Sequence, residues 1–135
     1  TVEYVAASYL DMKYHTLEAP LEQNVVPFEQ EAMLKIGLPN AIIPRYRITY
    51  FSHIFSGGYS AGYYSYIWSA VLDTDAFAAF KATSLFDAAT AKSFRTNILE
   101  KGGTGDPSVF YRTFRGADPA IAPLLQKRGL DTGPK

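Results

Sequence analysis

Apolar residues along this chain recur at helical spacing and almost never alternate, so the sequence can build amphipathic helices but has little with which to build a half-buried sheet. From Val2 to Leu17, the residues Val2, Val5, Ala6, Tyr9 and Leu10, joined by Met12 and Tyr14, form a broad apolar face. Pro20 forbids its continuation. A second helix is expected from Pro27, with Phe28, Ala32, Met33 and Ile36 on one side and Gly37 as its stop. The stretch "LPNAIIP" that follows is a proline-bounded connector in extended or turn conformation. "RYRITYFSHIF" carries β-branched and aromatic residues that suit a strand, yet Tyr46, Tyr50, Phe51 and Ile54 recur at helical spacing, and it is read as helix.

A long helix is expected to begin just after Gly57-Gly58 and to run to about Thr83. Tyr59, Tyr63, Tyr66 and Ala70 would then form one row at i, i+4, i+7 and i+11, with Tyr64, Ile67, Trp68, Val71 and Leu72 on another flank. Asp87 is read as the cap of the next segment, in which Phe94, Ile98 and Leu99 bury and Gly102-Gly103 ends the helix. Two short helices open on Asp106-Pro107 and Asp118-Pro119, the Asp as N-cap and the Pro at the first helical position. Each closes on a glycine, and the final "DTGPK" reads as a frayed tail. The fold class is therefore all-α, with one long tyrosine-rich helix after a Gly-Gly loop.

Charge and composition narrow the function classes. The 135 residues suit one domain able to bury roughly two-thirds of its unfolded surface. Thirteen basic residues balance thirteen acidic ones, so no net field favours nucleic acid or an anionic membrane, and neither is expected as a partner. The absence of cysteine excludes a disulfide scaffold and a thiolate metal site and fits a reducing compartment. No run of about 18 apolar residues is present, and the start lacks the basic-then-apolar layout of a signal peptide. The chain reads as soluble and cytoplasmic, with the periplasm also open. It begins at Thr1 without an initiating Met, as a piece cut from a larger protein would.

Most familiar chemistries lack their residues. The only histidines are His15 and His53, whereas a catalytic zinc site typically takes three protein ligands. His15 lies late in the first helix among apolar neighbours and reads as structural or surface. His53 has no H-x-x-x-H or H-x-x-E spacing around it, so no autonomous metal site is expected. There is no G-x-S-x-G elbow, and "GGYSAG" lacks the Lys-Ser/Thr of a phosphate loop.

What remains is "HIFSGGYSAGYYSYIW", His53 to Trp68, where tyrosines stand beside paired glycines. Two readings of it stay open. Tyr59, Tyr63 and Tyr66 could be core aromatics behind a tight glycine turn. Alternatively, they form a peptide-facing wall, because a phenol is a neutral donor to a carbonyl or oxyanion, and Gly57-Gly58 lets the backbone approach an extended peptide and change conformation.

That same block, within "RYRITYFSHIFSGGYSAGYYSYIWSAVLDTDAF" and continued through "NILEKGGTGDPSVFYRTFRGADPAIAPLLQKRGL", resembles the C-terminal end of the zinc oligopeptidase family that includes thimet oligopeptidase and bacterial peptidyl-dipeptidase. "EYVAASYLDMKYHTL" resembles the family's upstream helix, so the resemblance covers nearly the whole chain, and it is nearer the peptidyl-dipeptidase branch. It implies an all-α, zincin-type hydrolase of short peptides, with residues 1–135 as a C-terminal helical segment of its catalytic domain. The family's H-E-x-x-H helix and third zinc ligand, a Glu, are missing from this sequence, so zinc is expected in the intact parent, none is expected in this chain, and the chain alone is expected to be inactive. By resemblance, Tyr66 would be the leading donor to the tetrahedral oxyanion, and His53 would face the scissile bond. Tyr59 and Tyr63 would bind substrate backbone, and Gly57 and Gly58 would form the closing loop. The implied partners are short peptides, the missing N-terminal part of the peptidase, and a second copy through self-association. The competing expectation is a non-catalytic helical module that binds peptides or a partner through the same tyrosines. Dipeptide release and internal cleavage both remain open.

Overall fold

The computed structural model describes residues 1–22 and 24–130, which contain no strand. The tail read from "DTGPK" lies outside the described residues. Among those described, the helices are α1 (Val2–His15), α2 (Val25–Lys35), α3 (Ser52–Phe55), α4 (Ser65–Ala82), α5 (Ala88–Phe94), α6 (Pro107–Arg115) and α7 (Ala122–Lys127). A 3₁₀ turn, Ile48–Tyr50, precedes α3, and α5 passes into a π-helical turn at Arg95–Leu99. The chain divides into two compact units, one from Thr1 to Ile67 and one beginning at Trp68.

In the first unit, small residues let two helices approach closely. Ala6, Ala7 and Leu10 of α1 meet Ala32 and Met33 of α2, and Ile48, Phe51, Ile54 and Tyr63 complete the core. Leu10, Phe51 and Ile54 are fully buried, which for side chains of this size contributes about 1.5–3 kcal/mol each. The α2 helix starts at Val25, ahead of the expected Pro27, because the Asn24 side chain accepts the Val26 N–H at 3.0 Å. Its end falls where expected, with Gly37 at φ +67°.

Arg45–Phe55 does not form the single helix expected of it, and buried Glu29 supplies the reason. This α2 carboxylate accepts the Ile48 N–H at 2.8 Å and pairs with the Arg47 guanidinium. With its N–H directed at Glu29 instead of at a carbonyl one turn earlier, Ile48 can stand only at the start of a helical turn, so Arg47 before it is extended and the 3₁₀ turn and the four-residue α3 follow it.

The second unit is built on α4 through α7. Asp87 caps α5 by accepting the Thr90 N–H at 2.7 Å, and Asp106 caps α6 by accepting that of Ser108 at 2.8 Å, both as the sequence predicts. Gly116 closes α6 at φ +77°. Phe80, Phe94 and Phe114 pack edge-on or tilted, with centroids 5.2–6.4 Å apart. Leu99, expected to bury, is 65% exposed. The Glu100 N–H reaches back to the Arg95 carbonyl, and this wider turn rotates Leu99 away from the face of Phe94 and Ile98. Asp118 does not cap α7 either. Arg112 Nη1 donates to its carboxylate at 2.8 Å, and the helix starts only at Ala122.

Asp75 of α4 ties this unit together. It is 2% exposed and accepts hydrogen bonds from the Tyr111 hydroxyl at 2.6 Å and from Arg115 Nε and Nη2 at 2.9 and 3.2 Å. The Arg115 guanidinium, then the Tyr111 hydroxyl, hold the Asp75 carboxyl below the usual carboxylate range against the opposing effect of burial. Burial, and then the neighbouring carboxylate, push the Tyr111 phenol up. A depressed folded-state pKa gives stability that is present above the unfolded value of about 3.9 and lost as pH falls through the folded value. Asp75→Asn is therefore expected to cost about 3 kcal/mol at pH 7, by leaving Arg115 without its counter-charge. Urea unfolding at pH 7 and at about pH 2.5 checks this: the gap between the two proteins should shrink at the acid pH.

Candidate functional site

The Gly-Gly segment leaves α3 in a tight turn. Ser56 and Gly57 both donate backbone N–H groups to the Ser52 carbonyl, at 2.7 and 3.1 Å, and Tyr59 donates to that of His53 at 3.1 Å. A Cβ on Gly57 would stand 2.9 Å from the His53 carbonyl oxygen and 3.0 Å from its Cα, so glycine is required there for space. Gly58 has open space around it and is required for another reason, its φ of +77°.

Beyond the glycines the expected helix does not start at once. Residues 59–64 form successive turns, and the first residue of α4 is Ser65. Asp11 of α1, fully buried, accepts the Ala61 N–H on Oδ1 and the Tyr63 N–H on Oδ2, both at 2.9 Å. Ala61 sits at φ +53°, a left-handed conformation costing a side-chain-bearing residue roughly 1–2 kcal/mol. Charge-assisted bonds from two amides to one carboxylate offset that cost. Tyr59, Tyr63 and Tyr66 therefore do not share the helical row the spacing predicts.

The turn nevertheless gathers their rings. Tyr59 and Tyr66 stack at 5.0 Å, Tyr63 and Tyr66 lie 5.3 Å apart, and Tyr63 meets Tyr4 at 5.4 Å and Phe51 at 4.8 Å. The His53 ring lies 5.9 Å from Tyr63 and 6.2 Å from Tyr59. Tyr59, Tyr63, Tyr66 and His53 thus form one cluster, but with unequal access. Tyr63 is 2% exposed, Tyr59 and His53 are half-buried, and Tyr66 is 38% exposed. Tyr63's ring is thus a core aromatic, whereas that of Tyr66 is open to solvent.

The cluster keeps the Tyr63 and Tyr66 phenols protonated. A hydrogen bond with Tyr59, reinforced by desolvation, pushes Tyr66 up to about 12, and burial followed by proximity to Tyr4 pushes Tyr63 up to about 12. Both remain neutral donors throughout the physiological range. The Nδ1 of His53 is buried without a hydrogen-bond partner among the described residues, a condition that buried polar atoms rarely tolerate unless a partner is supplied. His15, by contrast, is engaged with Asp11: its Nδ1 lies 2.8 Å from Oδ1 and 3.0 Å from the carbonyl oxygen.

Sequence reading missed Tyr4, Asp11, Tyr46 and Arg45 as parts of this arrangement. Tyr46 stacks on Phe51 at 5.1 Å and faces His53 at 4.9 Å, and the Arg45 guanidinium lies over the Tyr46 and Tyr4 rings at 5.7 and 6.0 Å. The available signal was Asp11 itself, a single acid amid the apolar face of α1. Among the described residues, no group of three or more His, Cys, Asp or Glu could hold a metal ion, so these residues do not fit a zinc site. No described helix is long and apolar enough to cross a membrane. The second unit has a cleft of its own, of about 890 Å³, lined by Trp68, Phe77, Phe80, Phe94 and Phe110 among others.

The family model for Peptidase family M3 matches residues 1–130. The chain belongs to peptidase family M3. It is 43% identical over 132 residues to a dipeptidyl carboxypeptidase of Salmonella typhimurium, an alignment covering 96% of this chain and 19% of that protein. To the oligopeptidase A of Haemophilus influenzae it is 46% identical over 80 residues, 59% of this chain and 12% of that protein. A probable cytosolic oligopeptidase A of Arabidopsis thaliana is 37% identical over 136 residues, covering 91% of this chain and 19% of the relative. The chain thus spans about a fifth of the length of the curated relatives it matches most fully.

The two glycines of the loop should fail on substitution for separable reasons. Gly57→Ala is expected to lower stability by about 1–3 kcal/mol through overpacking against His53. Gly58→Ala should cost about 1–2 kcal/mol through its backbone angle. Gly62→Ala, whose Cβ would meet nothing closer than 3.5 Å, should be nearly silent on this count. Urea midpoints for the three variants check the ordering.

Proposed function

We propose that this chain forms the substrate-facing wall of the cleft in a zinc-dependent peptidase that hydrolyses short peptides. Its Tyr66 would stabilise the oxyanion that develops when the scissile carbonyl is attacked. Supporting this reading is Tyr66's combination of an accessible ring with a hydroxyl held protonated beside Tyr59. A neutral phenol placed in advance donates a hydrogen bond that strengthens as negative charge builds on the carbonyl oxygen, and it needs no reorganisation at that moment. His53 faces the same peptide bond, its ring held by packing against Tyr46 and Tyr63. Tyr59 supplies a second hydroxyl to substrate backbone, and Tyr63 acts from behind, its phenol joined to Tyr4. Gly57 and Gly58 provide the backbone bend over which the peptide lies.

Zinc belongs in this reading to the intact parent, on residues outside this chain. The remainder of that peptidase is also the partner for apolar surface left open here, including Phe86, which is 94% exposed, and the aromatic cleft of the second unit. The isolated chain is accordingly expected to retain no stoichiometric zinc after dialysis against a weak chelator and to cleave no peptide. Metal analysis showing one tightly held zinc per chain, together with turnover, would contradict the assignment.

The decisive test lies in the full-length peptidase. Tyr66→Phe keeps the ring and removes the donor, and is expected to lower kcat by about 10²–10³-fold. Uniform ground-state binding would instead raise KM and spare kcat. Tyr64→Phe, on a ring 51% exposed, should leave kcat nearly unchanged and shift stability by about 1 kcal/mol at most. Parental kcat in Tyr66→Phe would reduce the tyrosine cluster to a packing feature.

A further inference from the structure

We propose that Asp11 is a positioning residue for the tyrosine cluster, setting the Tyr66 hydroxyl through the backbone of the 61–66 turn without itself meeting substrate. The inference rests on the reading of Tyr66 as oxyanion donor.

Three observations carry it. Asp11 is 0% exposed, and a carboxylate is costly to bury unless each oxygen finds donors. Its donors are the main-chain N–H groups of Ala61 and Tyr63, fifty and fifty-two positions along the chain, both at 2.9 Å. Second, His15 braces the carboxylate. Its Nδ1 lies within hydrogen-bond distance of two acceptors, Oδ1 and the Asp11 carbonyl oxygen, so that nitrogen carries the hydrogen and the ring fixes the carboxylate's rotation from one turn away on α1. Third, the position of Tyr66 is set by the residue Asp11 holds: the Tyr66 N–H donates to the Tyr63 carbonyl at 3.4 Å as the chain enters α4. The same helix also supplies Tyr4, stacked on Tyr63 at 5.4 Å and edge-on to Tyr66 at 6.3 Å. Helix α1 therefore fixes both the backbone and a ring contact of this turn.

The geometric outcome separates this from a merely stabilising contact. Freed of Asp11, the Tyr63 amide could pair with the Tyr59 carbonyl one turn back, and α4 could start directly after the glycines. Tyr59 and Tyr66 would then sit seven positions apart on one helix, about 10 Å in rise. In the clamped turn their rings stack at 5.0 Å, which puts the Tyr59 hydroxyl where it can engage that of Tyr66.

The test is a mutant cycle in the full-length peptidase, with kcat and KM measured on one short peptide, and metal content and unfolding temperature recorded for every variant. Asp11→Ala is expected to lower kcat about 10-fold or more with KM changed less than about twofold, since a misplaced transition-state donor leaves ground-state binding alone. Asp11→Asn, which retains one acceptor oxygen, should fall between Asp11→Ala and the parent. In a Tyr66→Phe background, Asp11→Ala should cost less than about twofold further, because the hydroxyl it places is already gone. If Asp11→Ala is not recovered folded with parental metal content, Asp11→Asn runs the same cycle. Parental kcat in the Asp11 variants, or an equal loss in both backgrounds, overturns the inference and leaves the role of Tyr66 standing. Parental kcat in Tyr66→Phe alone overturns the oxyanion reading, and the positioning role with it.

Discussion

Buried carboxylates that accept main-chain amides organise the first unit. Asp11 and Glu29 each leave a helix face to collect N–H groups from a distant segment, and in each case that segment gives up the helix its own sequence would support. Burying a charge is tolerable only when its lone pairs are satisfied, so each acid dictates the path of the chain that satisfies it. The hydrophobic core alone would not fix that path, since Ile48, Phe51 and Tyr63 could bury on a continuous helix as well as on turns. Asp75 plays a related part in the second unit, but toward side chains, joining α4 to α6 through Tyr111 and Arg115.

This division explains what could be read from sequence. Helical spacing, aspartate caps and glycine stops act within a few residues, and α1, α5 and α6 follow them closely, as does the end of α2. The capping failure at Asp118 and the exposure of Leu99 come from a competing arginine and from a π-turn, neither of which leaves a periodic trace. The departures at Arg45–Phe55 and at the start of α4 have a longer reach. Each depends on a carboxylate nineteen or more positions away, and an acid on an apolar face announces that a partner exists without naming it.

The gathering of the aromatic rings was legible for a different reason. The tyrosines and His53 meet although the helical row that suggested their meeting is absent. Composition in one short segment sufficed, because a compact path through four tyrosines and three glycines brings three of the phenols together. What spacing could not give was their order of access, with Tyr63 enclosed and Tyr66 open, since that depends on Tyr4, Tyr46 and Phe51 from other segments.

The glycine pair restricts how such a segment can change. Gly57 is held by crowding and Gly58 by handedness, so the two positions answer to unrelated demands. A neighbour that shrinks or withdraws could make room beside Gly57, but it would do nothing for a backbone that must turn the left-handed way at the next residue. Asparagine, which tolerates that handedness, could enter at 58 but offers no relief at 57. No single compensating substitution frees both, and sequence drift through this bend would have to take two independent steps.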